Sequence, residues 1–412
     1  MRIVILIDCY LPSRKSGAKH IHDLALECRD LGHDVTIVTV SDSITEALQV
    51  SDDHGLRIAR VKMGKIKGMP KIVRAIQEVR LSSVIWRRAQ RFLKANLADA
   101  IIYYSPTIFF GALVKRLKSL WGCPSYLILR DIFPQWAVDA GILKKRIVWQ
   151  FFRKIEKAQY DASDVIAVQS RGDLGYFQEH FPGKNYRLTV LYNWARSSEA
   201  DLPATSYRTR LGLRDKVIFV YGGNLGVAQD VDNLIRLAAS LTGRPEIHFL
   251  LVGEGTEAPR MKRIIAARQL QNIHLLPAVD QREYLAMLSE CDVGLLSLDR
   301  RLTTHNVPGK LFGYMYWGKP VLASLNSGND LFTLLGHKRA GFCFVNGDDA
   351  NLTAAALQLA SDAELRTQMG RNARSLLDST FSSRAAAVQI LEELSVAAGY
   401  PEQPEAPLAT RS

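Results

Sequence analysis

Hydrophobic residues in this chain come in short continuous runs, separated by longer stretches where they recur every three or four positions. Ile3–Ile7 is such a run, the pattern of a strand buried on both faces. A polar loop, Ser13–Gly17, follows it, and then Ile21, Leu24, Ala25, Cys28 and Leu31 recur at helical spacing. Gly32 stands where a left-handed cap would end that helix, and Val35–Val40 reads as the next strand. Strand, helix and strand in that order predict a βαβ unit and a parallel sheet. The second half repeats the pattern, with runs at Val217–Tyr221, Ile247–Val252, Ile273–Leu276, Val293–Leu298, Pro320–Ala323 and Phe342–Val345. Asp280, followed by Glu283, predicts a capping box at the start of one intervening helix.

The expected fold class is therefore α/β, with two Rossmann-like βαβ domains facing each other across a cleft. The first is expected over 1–195 and the second over 196–381. The join falls near 192–210, where Ser197, Ser198, Pro203 and Ser206 break the pattern. A helix at 382–398 has no strand after it, and the tail 399–412, rich in Pro and Ala, is expected to be disordered.

Composition narrows the class. At 412 residues, 47% hydrophobic and 23% charged, the chain can fill two cores and is neither disordered nor collagen-like. The longest stretch without a charge, Ala100–Val114, is interrupted by Pro106 and falls short of the roughly 20 apolar residues of a membrane span. Ile3–Ile7 is also shorter than a signal-peptide core. A soluble, cytoplasmic protein is expected. The five cysteines are odd in number and form no C-x-x-C pair, and Cys28, Cys123 and Cys343 read as buried small residues. His20 and His22 are the only close histidine pair, so no metal is expected. The net charge of +12 is unevenly placed: residues 1–200 hold 31 Lys+Arg against 19 Asp+Glu, residues 201–412 hold 22 of each. Arg57–Lys94 alone has twelve bases and one acid, a field that attracts a polyanion such as nucleic acid or an anionic leaflet.

Ligands of open parallel sheets bind beyond the carboxyl ends of the strands, so glycine-bearing loops there are the candidate sites. Ser16-Gly17 opens the first helix and reads either as an anion site or as a plain turn. Gly222-Gly223-Asn224-Leu225-Gly226 fits close approach to a phosphate, though it is neither a P-loop nor a dinucleotide fingerprint; a tight turn is the alternative. Gly253-Glu254-Gly255 follows the neighbouring strand. Pro308-Gly309-Lys310 brings a lysine to a helix start, where it is either a phosphate ligand or a solvated surface residue. Asp131, at a strand end amid aromatics, suits sugar-hydroxyl binding or acid/base work, with a salt bridge to Arg130 as the structural competitor.

Together these residues resemble the family 4 retaining glycosyltransferases of the two-domain GT-B fold. The opening carries Tyr10-Leu11-Pro12, Ser16-Gly17, Leu24-Ala25 and Leu31–Thr39; the close carries Ala340-Gly341, Leu365-Arg366, Met369-Gly370, Asn372-Ala373-Arg374 and Phe381-Ser382. Arg130–Trp136 and Leu191–Trp194 resemble a bacterial branch that builds O-antigen or capsule polysaccharide, N-acetyl-fucosamine transferases among them. The chain departs from the pattern in three places. Ser16-Gly17 replaces a pair of glycines, Gly223–Asp230 has neither the Arg nor the Lys that clamps a donor diphosphate, and His305 and Gly313 replace the paired glutamates.

The resemblance implies a nucleotide-sugar donor, a UDP-sugar, held by Ser16, Gly17, Gly222, Gly223, Asn224, Gly226, Gly253, Glu254, Gly255, His305, Pro308, Gly309 and Gly313. It implies catalysis by Lys310 and Asp131, without a dedicated nucleophile and with the leaving phosphate taking the acceptor's proton. It also implies that the helix at 382–398 packs back on the first domain, and that the acceptor is lipid-linked at the cytoplasmic face of the inner membrane. Arg87, Arg88, Arg91, Lys94 and Trp149 are the expected membrane and acceptor contacts, because both Arg57–Lys94 and Leu143–Lys157 interleave bases with Trp and Phe. The alternative, that those apolar residues face the domain's own core, stays open. So do two other functions, a nucleotide-sugar epimerase and a non-catalytic membrane scaffold. Nucleic-acid binding is not expected, since no recognition signature accompanies the basic stretch.

Overall fold

The computed structural model describes residues 1–13, 15–64, 71–139, 143, 145–196, 202–302, 305 and 307–399, with the side chains of 71–76, 136 and 139 excepted. The tail from Pro401 and the break residues Ser197 and Ser198 lie outside that set. The chain forms two compact units. One takes in residues 1–169, 177–191 and those from Ser383 onward; the other takes in 170–176 and 192–382.

In the first unit the described strands are β1 (Arg2–Leu6), β2 (Asp34–Ser41), β3 (Leu48–Asp53), β4 (Leu56–Lys62), β5 (Ala100–Ser105), β6 (Ser125–Leu129), β7 (Val165–Val168) and β8 (Leu188–Val190). They lie in the order β3-β4-β2-β1-β5-β6-β7-β8. All neighbours are parallel except β3 and β4, which are antiparallel. The turn between those two is His54-Gly55, with φ of 49° and 74°, the two left-handed residues a tight hairpin demands. The basic stretch from Arg57 therefore begins as a strand, and among its described residues Lys71–Lys94 are helical. Central strands such as β5 are buried throughout, which is why they read as unbroken apolar runs.

The helix Ser383–Ala397 belongs to this unit and packs on the helix Ser16–Asp30. Ser383 Oγ donates to Glu27 Oε1 at 2.9 Å, and Gln389 Nε2 donates to the Val190 carbonyl at 2.9 Å.

The second unit holds β9 (Val217–Gly222), β10 (Ile247–Val252), β11 (Ile273–Leu276), β12 (Val293–Ser297), β13 (Val321–Leu325) and β14 (Gly341–Val345), all parallel, in the order β11-β10-β9-β12-β13-β14. One face packs Phe219, Leu234, Phe249 and Met261; the other packs Leu288, Leu311, Tyr314 and Phe381. Asp280 caps the helix Gln281–Ser289 by accepting from the N–H groups of Arg282 and Glu283, at 2.8 and 3.0 Å. The expected reciprocal half of that box is replaced: Glu283 instead accepts from the Tyr207 hydroxyl at 2.5 Å.

Candidate functional site

In the second unit β10 and β11 lie on one side of β9, and β12, β13 and β14 on the other. The crevice at such a reversal, beyond the carboxyl ends of β9 and β12, is where ligands of open α/β sheets bind. Three of the loops singled out from the sequence meet there. Gly223, at φ +116°, donates its N–H to the Val252 carbonyl at 2.9 Å. Leu225 donates to the Glu254 carbonyl at 2.8 Å and accepts from Glu257 N–H at 3.0 Å. A Cβ on Gly253 would overlap the Gly223 carbonyl, and one on Gly255 would overlap that of Leu225. These glycines thus allow two loops to lie backbone against backbone. Asn224 turns its amide within the loop, donating to Gln229 Oε1 at 2.9 Å, against Gly226. The Glu254 side chain is exposed.

Lys310 supplies the charge. It opens the helix Lys310–Tyr316, and its ammonium lies 3.5 Å from the centroid of the Tyr221 ring. A Cβ on Gly223 would sit 3.5 Å from Lys310 Cε and 3.8 Å from Nζ. No carboxylate among the described residues pairs with it. Burial pushes its pKa down to about 7. An ammonium held over an aromatic face, with no counter-ion and a glycine backbone beside it, is poised for an anion. Under it, Gly222 N–H donates to the Tyr314 hydroxyl at 3.3 Å, and that hydroxyl donates to the Leu295 carbonyl at 3.2 Å, tying β9 to β12. Neither Tyr221 nor Tyr314 stands out in the sequence, where each is one more apolar position; the glycines facing them were the available signal.

Other expected donor contacts are placed differently. Pro308 and Gly309 directly precede Lys310, with Gly309 exposed. A Cβ on Gly313 would meet Leu288 Cδ1 at 2.8 Å, so this position faces the aliphatic side of the helix Gln281–Ser289. His305 sits against Gly172 and Gly328, and its Nε2 lies 3.1 Å from the Ser327 carbonyl, which can only accept; the proton is assigned to Nε2 on that ground. Nearby, and not foreseen, the buried Asp330 carboxylate accepts from Arg171 N–H at 2.8 Å and Tyr192 OH at 3.0 Å.

In the first unit Ser16 and Gly17 open the helix Ser16–Asp30, where a Cβ on Gly17 would meet the Tyr104 ring at 2.8 Å. Asp131 is exposed just after β6; partial desolvation raises its pKa and Arg130 opposes that rise. The buried Arg130 guanidinium donates to the Leu191 carbonyl at 2.6 Å.

For several apolar residues of the basic helix Lys71–Ala95 the core-facing alternative holds. Val84, Ile85 and Leu93 are buried in the unit's own core, and Trp86 and Phe92 are half-buried. Arg87, Arg88, Arg91 and Lys94 remain exposed, with Arg88 donating to the Lys62 carbonyl. Ile72, Val73 and Ile76 lie outside the described side chains. The helix Arg146–Tyr160 is different: Ile147 is 81% and Phe151 48% exposed, beside exposed Lys145, Arg146 and Lys154. Trp149 is half-buried, with the Arg153 guanidinium 5.9 Å from its ring. No described helix is long and apolar enough to cross a membrane.

Residues 17–194 match the Glycosyl transferase 4-like domain family, and residues 205–376 match Glycosyl transferases group 1. A Pseudomonas aeruginosa protein named "Probable glycosyltransferase WbjE" is 25% identical over 256 residues, 60% of this chain and 63% of the relative. An Escherichia coli K12 protein named "Putative colanic acid biosynthesis glycosyl transferase WcaI" is 27% identical over 52% of this chain and 54% of its own length. The matches thus span between half and two thirds of these curated relatives. Among solved structures, Anabaena HepE in complex with UDP and glucose superposes with a TM-score of 0.61 at 16% identity, covering 96% of this chain and 100% of the other.

Proposed function

We propose that this chain, which belongs by both of its halves to the GT-B glycosyltransferases, transfers a sugar from a nucleotide-diphosphate donor to a saccharide acceptor in bacterial surface-polysaccharide synthesis. The observation that carries the reading is Lys310. Its ammonium stands without a carboxylate partner among the described residues, 3.5 Å over Tyr221 and beside Gly223, at the ends of β9 and β12. A leaving diphosphate develops charge there as the glycosidic bond breaks, and a preorganised, partly desolvated cation stabilises that charge. Lys310 takes the place of the Arg and Lys that Gly223–Asp230 lacks.

The donor is a UDP-sugar, on the resemblance and on the UDP held by HepE. Transfer proceeds with retention, the departing phosphate accepting the acceptor's proton. An N-acetyl-hexosamine such as N-acetyl-fucosamine is the donor sugar the resemblance favours. The acceptor is lipid-linked, and the protein is peripheral at an anionic leaflet, supported by exposed Ile147 and Phe151 set among Lys145, Arg146 and Lys154. Trp149 lies on the same helix, and the exposed Arg87, Arg88, Arg91 and Lys94 of the helix Lys71–Ala95 add positive charge to the same unit.

The test is calorimetric binding of UDP and UDP-N-acetylhexosamines to the full chain, followed by turnover of Lys310→Ala. Removing one preorganised donor should lower turnover about a hundredfold. Absence of nucleotide binding to the wild type, or wild-type turnover in the variant, would remove the donor site from Lys310.

A further inference from the structure

A lysine ammonium sits on a flexible four-carbon stem, yet a charge that stabilises a leaving diphosphate has to be in place before the bond breaks. A carboxylate would fix the ammonium of Lys310, but it would also neutralise the charge and compete with the donor. The group that fixes it here is an aromatic ring. β9 alternates about its sheet: Phe219 and Tyr221 pack with Leu225 and Phe249 on one face, whereas Val220 packs on the other with Leu311 and Tyr314 of the lysine's own helix. The Lys310 side chain thus starts on one face and passes Gly223 at the end of β9. It ends with its ammonium 3.5 Å from the centroid of Tyr221, a ring that belongs to the other face.

A ring face attracts an ammonium without cancelling its charge. Tyr221 is itself held firmly: it is fully buried, and its hydroxyl donates to the Asn224 carbonyl at 2.9 Å. The same side chain therefore meets the lysine with its face and the glycine loop with its edge. Lys310 is only half-buried, so it is still reachable from solvent. The other titratable groups at this strand end are Tyr284, whose hydroxyl fills the space a Cβ on Gly222 would take, and Tyr314. Burial raises the pKa of both, so neither brings a charge to the lysine.

Resting on the transferase reading above, we infer that Tyr221 is a positioning residue for the transfer: its ring holds the Lys310 ammonium in place with its charge intact, and its hydroxyl fixes the loop Gly222–Gly226 beside it. Ring and donor phosphate approach the ammonium from different sides, so the ring contact survives donor binding.

The electrostatics of the ring can be changed at nearly constant shape. With Tyr221→Phe as the reference, 3,5-difluorophenylalanine and then 3,4,5-trifluorophenylalanine at position 221 of the full chain withdraw electron density from the ring face in steps. Competitive acetylation of Lys310 across pH, read by mass spectrometry with no ligand present, gives the titration midpoint of its amine. Calorimetry gives the Kd of UDP-glucose at pH 6 and pH 8.5. A weaker ring removes support for the charged amine, so the midpoint should fall by at least about half a pH unit between the reference and the trifluoro variant. Affinity should then drop at least about threefold at pH 8.5 and change less than about twofold at pH 6, where the amine is mostly protonated throughout. Tyr221→Phe itself, which loses only the tie to Asn224, should weaken binding by a similar factor at both pH values. Melting temperatures of the fluorinated variants should stay near that of the reference. If wild type binds UDP-glucose but fluorination moves neither the midpoint nor the affinity at pH 8.5, Tyr221 is a core residue only; the inference falls and the donor site stands. Tighter binding at pH 6 in the fluorinated variants would also overturn it, because the ring would then compete with the donor for the lysine. If the midpoint moves but wild type binds no nucleotide, Tyr221 holds Lys310 as stated and the transferase reading is the one that falls.

Discussion

Binding of a nucleotide sugar should draw a proton onto Lys310, because the empty site holds this ammonium where water no longer stabilises it. Burial brings its pKa down to about 7. A diphosphate beside it restores the ordinary lysine value of about 10.4. Above neutrality the free protein must first take up a proton, so Kd should rise about fifteenfold between pH 7 and pH 8.5. At pH 8 binding should take up close to one proton, about 0.9 by the same arithmetic. Titration of UDP-glucose in two buffers of different ionisation enthalpy measures both quantities, over a pH range in which a diphosphate diester does not itself titrate. Stability without ligand should move the other way. The unfolded chain keeps this proton to about pH 10.4 while the folded one releases it near 7, so the contribution of Lys310 to stability increases as pH rises across that window. Lys310→Met should flatten both dependences. A wild-type affinity that does not change between pH 7 and 8.5, or an equal slope in Lys310→Met, would refute the placement of the charge.

Gly223→Val should abolish nucleotide binding in calorimetry, since φ of +116° is hostile to a β-branched residue and its side chain would enter the space of Lys310; unchanged affinity would reduce the loop to a turn. Ile147→Glu with Phe151→Glu should lower cosedimentation with anionic vesicles at least tenfold while leaving calorimetric UDP affinity alone, and wild-type binding should weaken with salt. Binding that neither the double variant nor salt affects would exclude this face. Asp280→Ala should cost about 1 kcal/mol in urea unfolding through loss of the helix cap, with no change in nucleotide affinity.

The strands were legible because most are buried on both faces and so appear as unbroken apolar runs; Ile247–Val252 and Ile273–Leu276 match to the residue. Leu48–Asp53 was not legible, since this edge strand is mostly exposed and carries no such run. The glycine loops and Lys310 could be read because glycine at a strand end has few uses. Tyr221, Tyr314 and Asp330 could not, because their roles come from neighbours distant in sequence: Lys310 for Tyr221, Gly222 and Leu295 for Tyr314, Arg171 and Tyr192 for Asp330. Amphipathic basic helices are ambiguous by nature, since the same spacing serves a membrane or a core. The helix Lys71–Ala95 turns Ile85 and Leu93 inward, whereas Arg146–Tyr160 leaves Ile147 outside.

The helix Ser383–Ala397 closes the first unit with residues made after the whole of the second. A ribosome that has released 191 residues has therefore not yet supplied the Ser383 hydroxyl that donates to Glu27 or the Gln389 amide that meets the Val190 carbonyl. The second unit, whose strands all lie between Val217 and Val345, has no such wait. Synthesis order and completion order are thus reversed: the later segment can finish first, and the earlier one stays open on the Ser16–Asp30 side until residues 383–397 have been made. Cutting the chain at residue 382 would not yield a clean pair of halves. A free-standing version of the first unit needs 383–399 rejoined after 191, a splice whose solubility against that of plain 1–191 would show how much the closing helix matters.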